Sequence, residues 1–343
     1  MTKIKRTILL IIFIFSTSAT HAELEKSIAI CENPTPSQRL TLELILKQDK
    51  RSFVSNPERC RSLYEELAQT EKIGFRANKT HNPDLSPLSE LSNLKVLYIL
   101  GAGRVDLGPL SKLTSLEEFT LISNRVLNMN TLSNLTKLKV VSIENTPVNH
   151  IDFTRNLSEL TELNISNAGI GSIKPLINLT KLKILSLTRN KISDITPISH
   201  LINLTYLSLL ANNISDISPL QNLTRIQTLY LQNNQITDIA PLQSLRKIEV
   251  LFIDDNKISD LSPLNRLSTL TQISFKRNSV KDITPLLQLQ SLKTINMSSN
   301  KIEYIKPLAT LPNLEGLYVY NNPLKDCQSQ EITWLGNGEI RCK

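Results

Sequence analysis

From Leu91 onward a leucine returns at every twenty-second position, through Leu113, Leu135 and Leu157 to Leu311, eleven times without a miss. Two further registers keep the same step. One runs from Leu97 through Phe119 and Val141 to Leu317, the other from Ile99 to Val319, and both hold apolar residues throughout. A fixed period of this size is the mark of stacked units. Within one unit, as from Leu201 to Leu220, the order is L-x-x-L-x-x-L-x-L-x-x-N-x-I-x-D-I-x-P-L. The L-x-L core alternates with period two and predicts a short strand with one buried face. Because each strand is reached by the same 22-residue excursion, successive strands must lie side by side in parallel.

Asparagine stands five residues after the first strand leucine in eight of eleven units: Asn124, Asn190, Asn212, Asn234, Asn256, Asn278, Asn300 and Asn322. A buried amide there can serve backbone groups of adjacent turns, which makes these asparagines structural. The return leg carries Ser86-Pro87, Thr196-Pro197, Ser218-Pro219, Ser262-Pro263 and Thr284-Pro285, read as a capping hydroxyl before a proline in a helical turn. The few residues left before the next unit allow one 3₁₀ or short α turn. One stretch of two successive units departs from the rule. Thr146 and Ala168 replace the ladder asparagine, and Phe153-Thr154 replaces Pro-Leu, so a locally irregular and looser convex side is expected between about Pro147 and Leu157.

The N-x-I-x-D-I-x-P-L signature at a 22-residue step resembles the bacterial leucine-rich-repeat proteins of the internalin type, over roughly Leu85 to Leu324. The resemblance implies an α/β solenoid: a curved parallel sheet of about eleven repeats with a convex side of 3₁₀ turns, binding a protein partner on its concave strand face. The immunoglobulin-like domain and wall-anchoring motif of the best-known members are absent here, so host-cell invasion does not follow from the resemblance.

Outside the repeats, three segments are expected. Residues 1–22 read as a secretory signal peptide: Lys3, Lys5 and Arg6, an apolar run from Ile8 to Phe15, and small residues up to Ala22. Such a run spans about 12 Å as a helix, against about 30 Å of bilayer core, so it is not a stable membrane span. The protein is expected to be exported, either secreted or periplasmic. Residues 23–84 read as a helical N-terminal cap, with Cys60, Leu63, Tyr64 and Leu67 on one stripe after Asn56-Pro57. Residues 325–343 form a C-terminal cap, whose Cys327, Trp334 and Cys342 resemble the cysteine-containing caps of extracellular leucine-rich-repeat proteins. Eleven strands at about 4.8 Å place the two ends some 50 Å apart, beyond the ~7 Å reach of a disulfide. The pairings expected are therefore Cys31 with Cys60 and Cys327 with Cys342.

Composition narrows the functional classes. Nine glycines in 343 residues leave little for phosphate-cradling loops, and Gly101-Ala102-Gly103 has no long helix behind it. His81, His150 and His200 are scattered, no C-x-x-C occurs, and no nucleophile, base and orienter set is visible. The chain is therefore read as non-enzymatic, without cofactor or metal. The net charge of +8 falls to +5 once Lys3, Lys5 and Arg6 are removed, and both signs are dispersed, which takes away the case for nucleic acid. A monomer is expected.

The exposed strand positions then give the candidate partner surface. Glu118, Glu144 and Glu162 come first, followed by Ile184, Tyr206, Leu210, Tyr230, Val250 and Phe252. Asp254 and Asp255 stand one strand before Lys276 and Arg277, a spacing that suggests ion pairs over a cation site, and Tyr318 and Tyr320 lie on the last strand. Tyr206, Tyr230 and Phe252 are expected to form one aromatic ridge. The contact residues are read as Arg189, Tyr206, Leu210, Tyr230, Phe252, Asp254, Lys276, Arg277, Tyr318 and Tyr320. The alternative is a structural envelope protein that binds glycan or peptidoglycan.

Overall fold

A computed structural model describes residues 33–48, 57–326, 332–335 and 339–342. The signal-like segment, Cys31 and Cys327 lie outside the described residues, and with them both expected disulfides.

Twelve strands form one parallel sheet in strict chain order. They are β1 (Lys72–Arg76), β2 (Val96–Asp106), β3 (Glu118–Leu127), β4 (Val140–Glu144), β5 (Glu162–Ser166), β6 (Ile184–Ser186), β7 (Tyr206–Ser208), β8 (Thr228–Tyr230), β9 (Val250–Phe252), β10 (Gln272–Ser274), β11 (Thr294–Asn296) and β12 (Gly316–Tyr318). The 22-residue period sets the register, as in Leu207 opposite Leu229 and Leu229 opposite Leu251. Both apolar registers stack into one continuous core in which Leu207, Leu209, Leu229, Leu231, Leu251 and Ile253 are fully buried.

The asparagine ladder closes the corner after each strand. The Asn234 amide donates to the Leu209 and Leu231 carbonyls at 3.0 Å each, and its oxygen accepts the Ile214 N–H at 3.0 Å. The same three-way arrangement recurs at Asn212 and Asn300. Where Thr146 stands instead, its hydroxyl accepts the Ser123 N–H at 2.9 Å and donates to the Glu144 carbonyl at 2.9 Å. Ala168 offers no polar group; it packs into the core, and its own N–H reaches the Asn190 side-chain oxygen at 3.2 Å.

The convex side is a row of 3₁₀ turns, and its caps differ from the sequence expectation. In the turn Thr196–Ile198 the threonine is already the first helical residue, and no hydroxyl caps the flanking residue. The cap is the aspartate two residues earlier: Asp194, Asp216, Asp238, Asp260 and Asp282 accept the N–H of Thr196, Ser218, Ala240, Ser262 and Thr284 at 2.7–2.9 Å. Hydrogen bonds from Thr196 and Ser262 hold Asp194 and Asp260 below the usual carboxylate range. The expected looseness at Phe153-Thr154 is not found. A 3₁₀ turn spans Asp152–Asn156, both residues are buried, and the Thr154 hydroxyl satisfies the Ile151 carbonyl at 2.8 Å. The local irregularity is an extra left-handed residue, Asn149, with φ of 60°.

The N-terminal end carries α1 (Pro36–Gln48) and α2 (Pro57–Ala68). Leu42, Tyr64 and Leu67 bury against the core, and the Tyr64 hydroxyl donates to the Pro87 carbonyl at 2.9 Å. Burial pushes that phenol well above its ordinary pKa. After α2 the chain already joins the sheet through β1, so the sheet begins inside the segment expected to be a helical cap. Ile73 pairs with Leu97, a step of 24 residues, which hides β1 from a 22-residue search. The next two strands are also longer than L-x-L. A bulge between Leu100 and Ala102, with Gly101 at φ 81°, lets β2 continue beside β3 around the corner. At the other end β13 (Ile332–Leu335) and β14 (Glu339–Cys342) pair as an antiparallel hairpin.

Candidate functional site

The inner face of the sheet is built from three side-chain columns. Each strand exposes the residue before its first core position, the one between its two core positions and the one after the second. A fourth column follows where the chain leaves the strand. There Asn145, Asn167, Arg189, Ala211, Asn233, Asp255, Arg277, Ser299 and Asn321 all take left-handed backbone, with φ of 51–58°. The handedness turns the chain off the strand into the ladder asparagine, and it sets these side chains along one edge.

Tyr206 stands in the first column, opposite Thr228, whereas Tyr230 and Phe252 are partners in the second. The ridge therefore runs diagonally. The Tyr206 and Tyr230 rings meet edge-to-face at 5.7 Å between centroids, and Tyr230 meets Phe252 at 5.3 Å in the same way. These are favourable aromatic geometries. All three rings are half-buried, and burial raises the Tyr206 phenol pKa, with Tyr230 adding to the shift. Leu210 is half-buried two residues past the end of β7, the strand that Tyr206 begins.

The charged group beyond the ridge is arranged differently from the expectation of two ion pairs. Arg277 and Asp255 form a two-point pair, Nη2 to Oδ2 at 2.6 Å together with Nε to Oδ1. Asp254 does not pair with the Lys276 ammonium. Its carboxylate accepts the Ser274 hydroxyl and the Lys276 backbone N–H, the latter at 2.6 Å, because a short side chain in the third column reaches those donors first. Burial pushes the Asp254 pKa up, opposed by the Ser274 and Lys276 hydrogen bonds.

Tyr318, the last residue of β12, and Tyr320, two residues beyond it, are 50% and 58% exposed, three strands from Phe252 and out of contact with the ridge. Arg189 is exposed on the edge column, at the opposite end of the strands from Tyr206. One group escaped the sequence reading. Asn164 donates to Glu144 at 2.9 Å and to Ser142 at 3.3 Å, and accepts from Ser166 at 2.6 Å, which forms a polar network across β4 and β5. Its signal was the repeated small polar residue between the two core positions, visible once strands are aligned by column.

Among the described residues, no helix is long and apolar enough to cross a membrane, and no three His, Cys, Asp or Glu are grouped to hold a metal ion.

The comparisons with known proteins agree with this geometry. The family model for leucine-rich repeats in two copies matches residues 158–200, 202–244, 224–266 and 290–331. An internalin, InlF, from Listeria monocytogenes has a similar structure with a TM-score of 0.76 at 32% identity, over 86% of this chain and 85% of that one. Internalin C2 from the same organism matches in fold with a TM-score of 0.53 at 24% identity, over 72% of this chain and 96% of that one. The plant peptide hormone receptor RGFR1, solved in complex with RGF2, shares the fold with a TM-score of 0.59 at 20% identity, over 73% of this chain and 42% of the receptor. None of the curated proteins matches the chain significantly in sequence. A repeat sheet of this kind is a protein-binding scaffold and typically a non-enzymatic one. With its 22-residue units, its parallel sheet and its likeness to InlF over most of both chains, the protein belongs to the internalin-type bacterial leucine-rich-repeat family.

Proposed function

We propose that the protein is exported and captures a protein partner on the inner strand face, with Tyr206, Tyr230 and Phe252 as the anchor. The observation that carries this is the ridge itself: three touching, half-exposed aromatic rings on adjacent strands. Soluble proteins rarely leave such a patch open, and aromatic anchors flanked by charge are the usual composition of binding hot spots. The peptide held by the similarly folded RGFR1 supports a polypeptide as the ligand. Leu210, Asp254, Lys276 and Arg277 serve as rim contacts, Arg189 as a contact on the edge column, and Tyr318 and Tyr320 form a second contact region at the end of β12. The signal-like start supports export, and the cap cysteines are assigned to the pairs Cys31–Cys60 and Cys327–Cys342.

The test is capture from the native environment with the full chain and with a variant carrying Tyr206→Ala, Tyr230→Ala and Phe252→Ala. Loss of a protein partner with a thermal midpoint close to that of the parent supports the reading. Undiminished capture overturns it, as does capture of polysaccharide in place of protein.

A further inference from the structure

The left-handed column offers an inference that deepens the proposed function and rests on it. Left-handed backbone costs free energy for any residue with a Cβ, and asparagine tolerates it best after glycine. Asn145, Asn167, Asn233 and Asn321 follow that preference. Arg277 is accounted for by its pair with Asp255. Arg189 is not: it is exposed, and among the described residues it makes no ion pair.

The surroundings of Arg189 are uncharged on both sides. Asn167 and Ala211 occupy its position in the flanking units, and Lys191, two residues on, lies between Gly169 and Asn213. Farther along the same edge stand Lys257 and Lys301, both exposed and, among the described residues, without an ion pair. Asp255 is the one acid in these two columns among the described residues, and Arg277 holds it. The cap aspartates lie three residues beyond Lys191 and its equivalents, with their carboxylates turned to backbone N–H groups. Among the described residues, Arg189 and Lys191 thus stand as unpaired cations on the edge where the strands end, while the exposed and ionised cap aspartates face the N–H groups of the 3₁₀ turns farther on.

We propose that this edge receives an acidic segment of the protein partner. Its carboxylates meet Arg189 and Lys191, and its apolar side chains continue onto the ridge. Two features favour a polypeptide. Arg189 presents a planar fork that matches a carboxylate in two-point contact. The edge is also continuous with the ridge, roughly 16 Å along the strand direction from Tyr206.

The test uses the full chain and fluorescence anisotropy of a labelled poly-L-glutamate peptide. Heparin and phosphatidylserine vesicles serve as the competing anionic probes. One variant carries Arg189→Glu and Lys191→Glu. Its control carries Lys137→Glu and Lys247→Glu, exposed residues at the opposite edge that change the net charge equally. The edge variant should lose about tenfold or more in affinity for poly-L-glutamate, while the control stays within about twofold. Equal losses in both variants, no binding of poly-L-glutamate, or tighter edge-dependent binding of heparin or vesicles overturns the proposal. Tyr230→Ala should leave poly-L-glutamate binding intact. The edge and the ridge can therefore fail separately: poly-L-glutamate reports on the first and capture of the native partner on the second.

Discussion

Replacing Asn234 by alanine tests the ladder at the point where its bonds can be counted. Asn234 is 9% exposed, and its side chain touches two carbonyls at 3.0 Å, the Gln232 carbonyl more weakly at 3.2 Å, and one N–H. The carbonyls are shared. Leu209 also accepts from Asn212, and Leu231 also accepts from Asn256, each at 3.0 Å. Truncation therefore leaves each carbonyl one bond, whereas the Ile214 N–H loses its side-chain acceptor inside the core. An orphaned buried donor costs about 1–3 kcal/mol, and each weakened carbonyl bond costs about 0.5–1.5 kcal/mol. Counting the N–H and the two carbonyls at 3.0 Å, the expected loss is about 2–6 kcal/mol, read from urea unfolding of the full chain with Asn213→Ala, an exposed neighbour, as the reference. Asn234→Asp adds a second check. One oxygen still accepts the Ile214 N–H, but the other faces two carbonyls, so burial raises the new carboxyl pKa. Its destabilisation should shrink as pH falls, because protonation restores a donor. A loss below about 0.5 kcal/mol for Asn234→Ala, within the range of surface substitutions, would refute the reasoning.

Three further outcomes are expected. Asp260→Ala removes the carboxylate that holds the Ser262 N–H and should cost about 1 kcal/mol in denaturant unfolding, as for the loss of a helix cap. Asp254 has a raised pKa in the fold, so its contribution to stability is complete below the unfolded value of about 3.9 and is lost as pH rises through the folded value. The thermal midpoint of Asp254→Asn relative to the parent should accordingly increase between acid and neutral pH; a constant or falling difference contradicts the burial argument. Tyr64→Phe leaves the Pro87 carbonyl unpaired beneath α2 and should destabilise by about 1 kcal/mol, with amide exchange rising first in α2 and the Ser86–Leu88 turn.

Strand order, register and the buried faces were legible in the sequence because all three follow from one fixed step, and Leu207, Leu229 and Leu251 sit where that step places them. β1 was not legible, because two extra residues between Ile73 and Leu97 break the period while leaving the pairing intact. The extension of β2 past Gly101 was hidden for a related reason: a bulge changes the face of every residue beyond it. At Phe153-Thr154 the residue types of the motif are lost while both side chains stay buried in a 3₁₀ turn, so a motif reading expected looseness where packing kept the turn. On the strand face, exposure followed from alternation, and the three rings were expected to touch. Their diagonal path required the columns to be separated. The destination of each carboxylate depended on which donor a short side chain reaches first, and spacing alone could not decide between the Lys276 ammonium and its N–H.

The ladder asparagines impose a rule on chain length. The carbonyls and N–H that each one serves lie at most 25 residues behind it, as Asn256 reaches back to Leu231 and no farther. Excising 22 residues from the uniform stretch between Asn212 and Asn300 would bring the next asparagine to the same carbonyls, and inserting 22 would do likewise. The array can thus grow or shrink by whole units without a new kind of contact, so the span of the inner face can vary by recombination within the gene. That freedom ends at the 24-residue step before Leu97 and at the alanine in place of the ladder residue at 168, where units are no longer interchangeable.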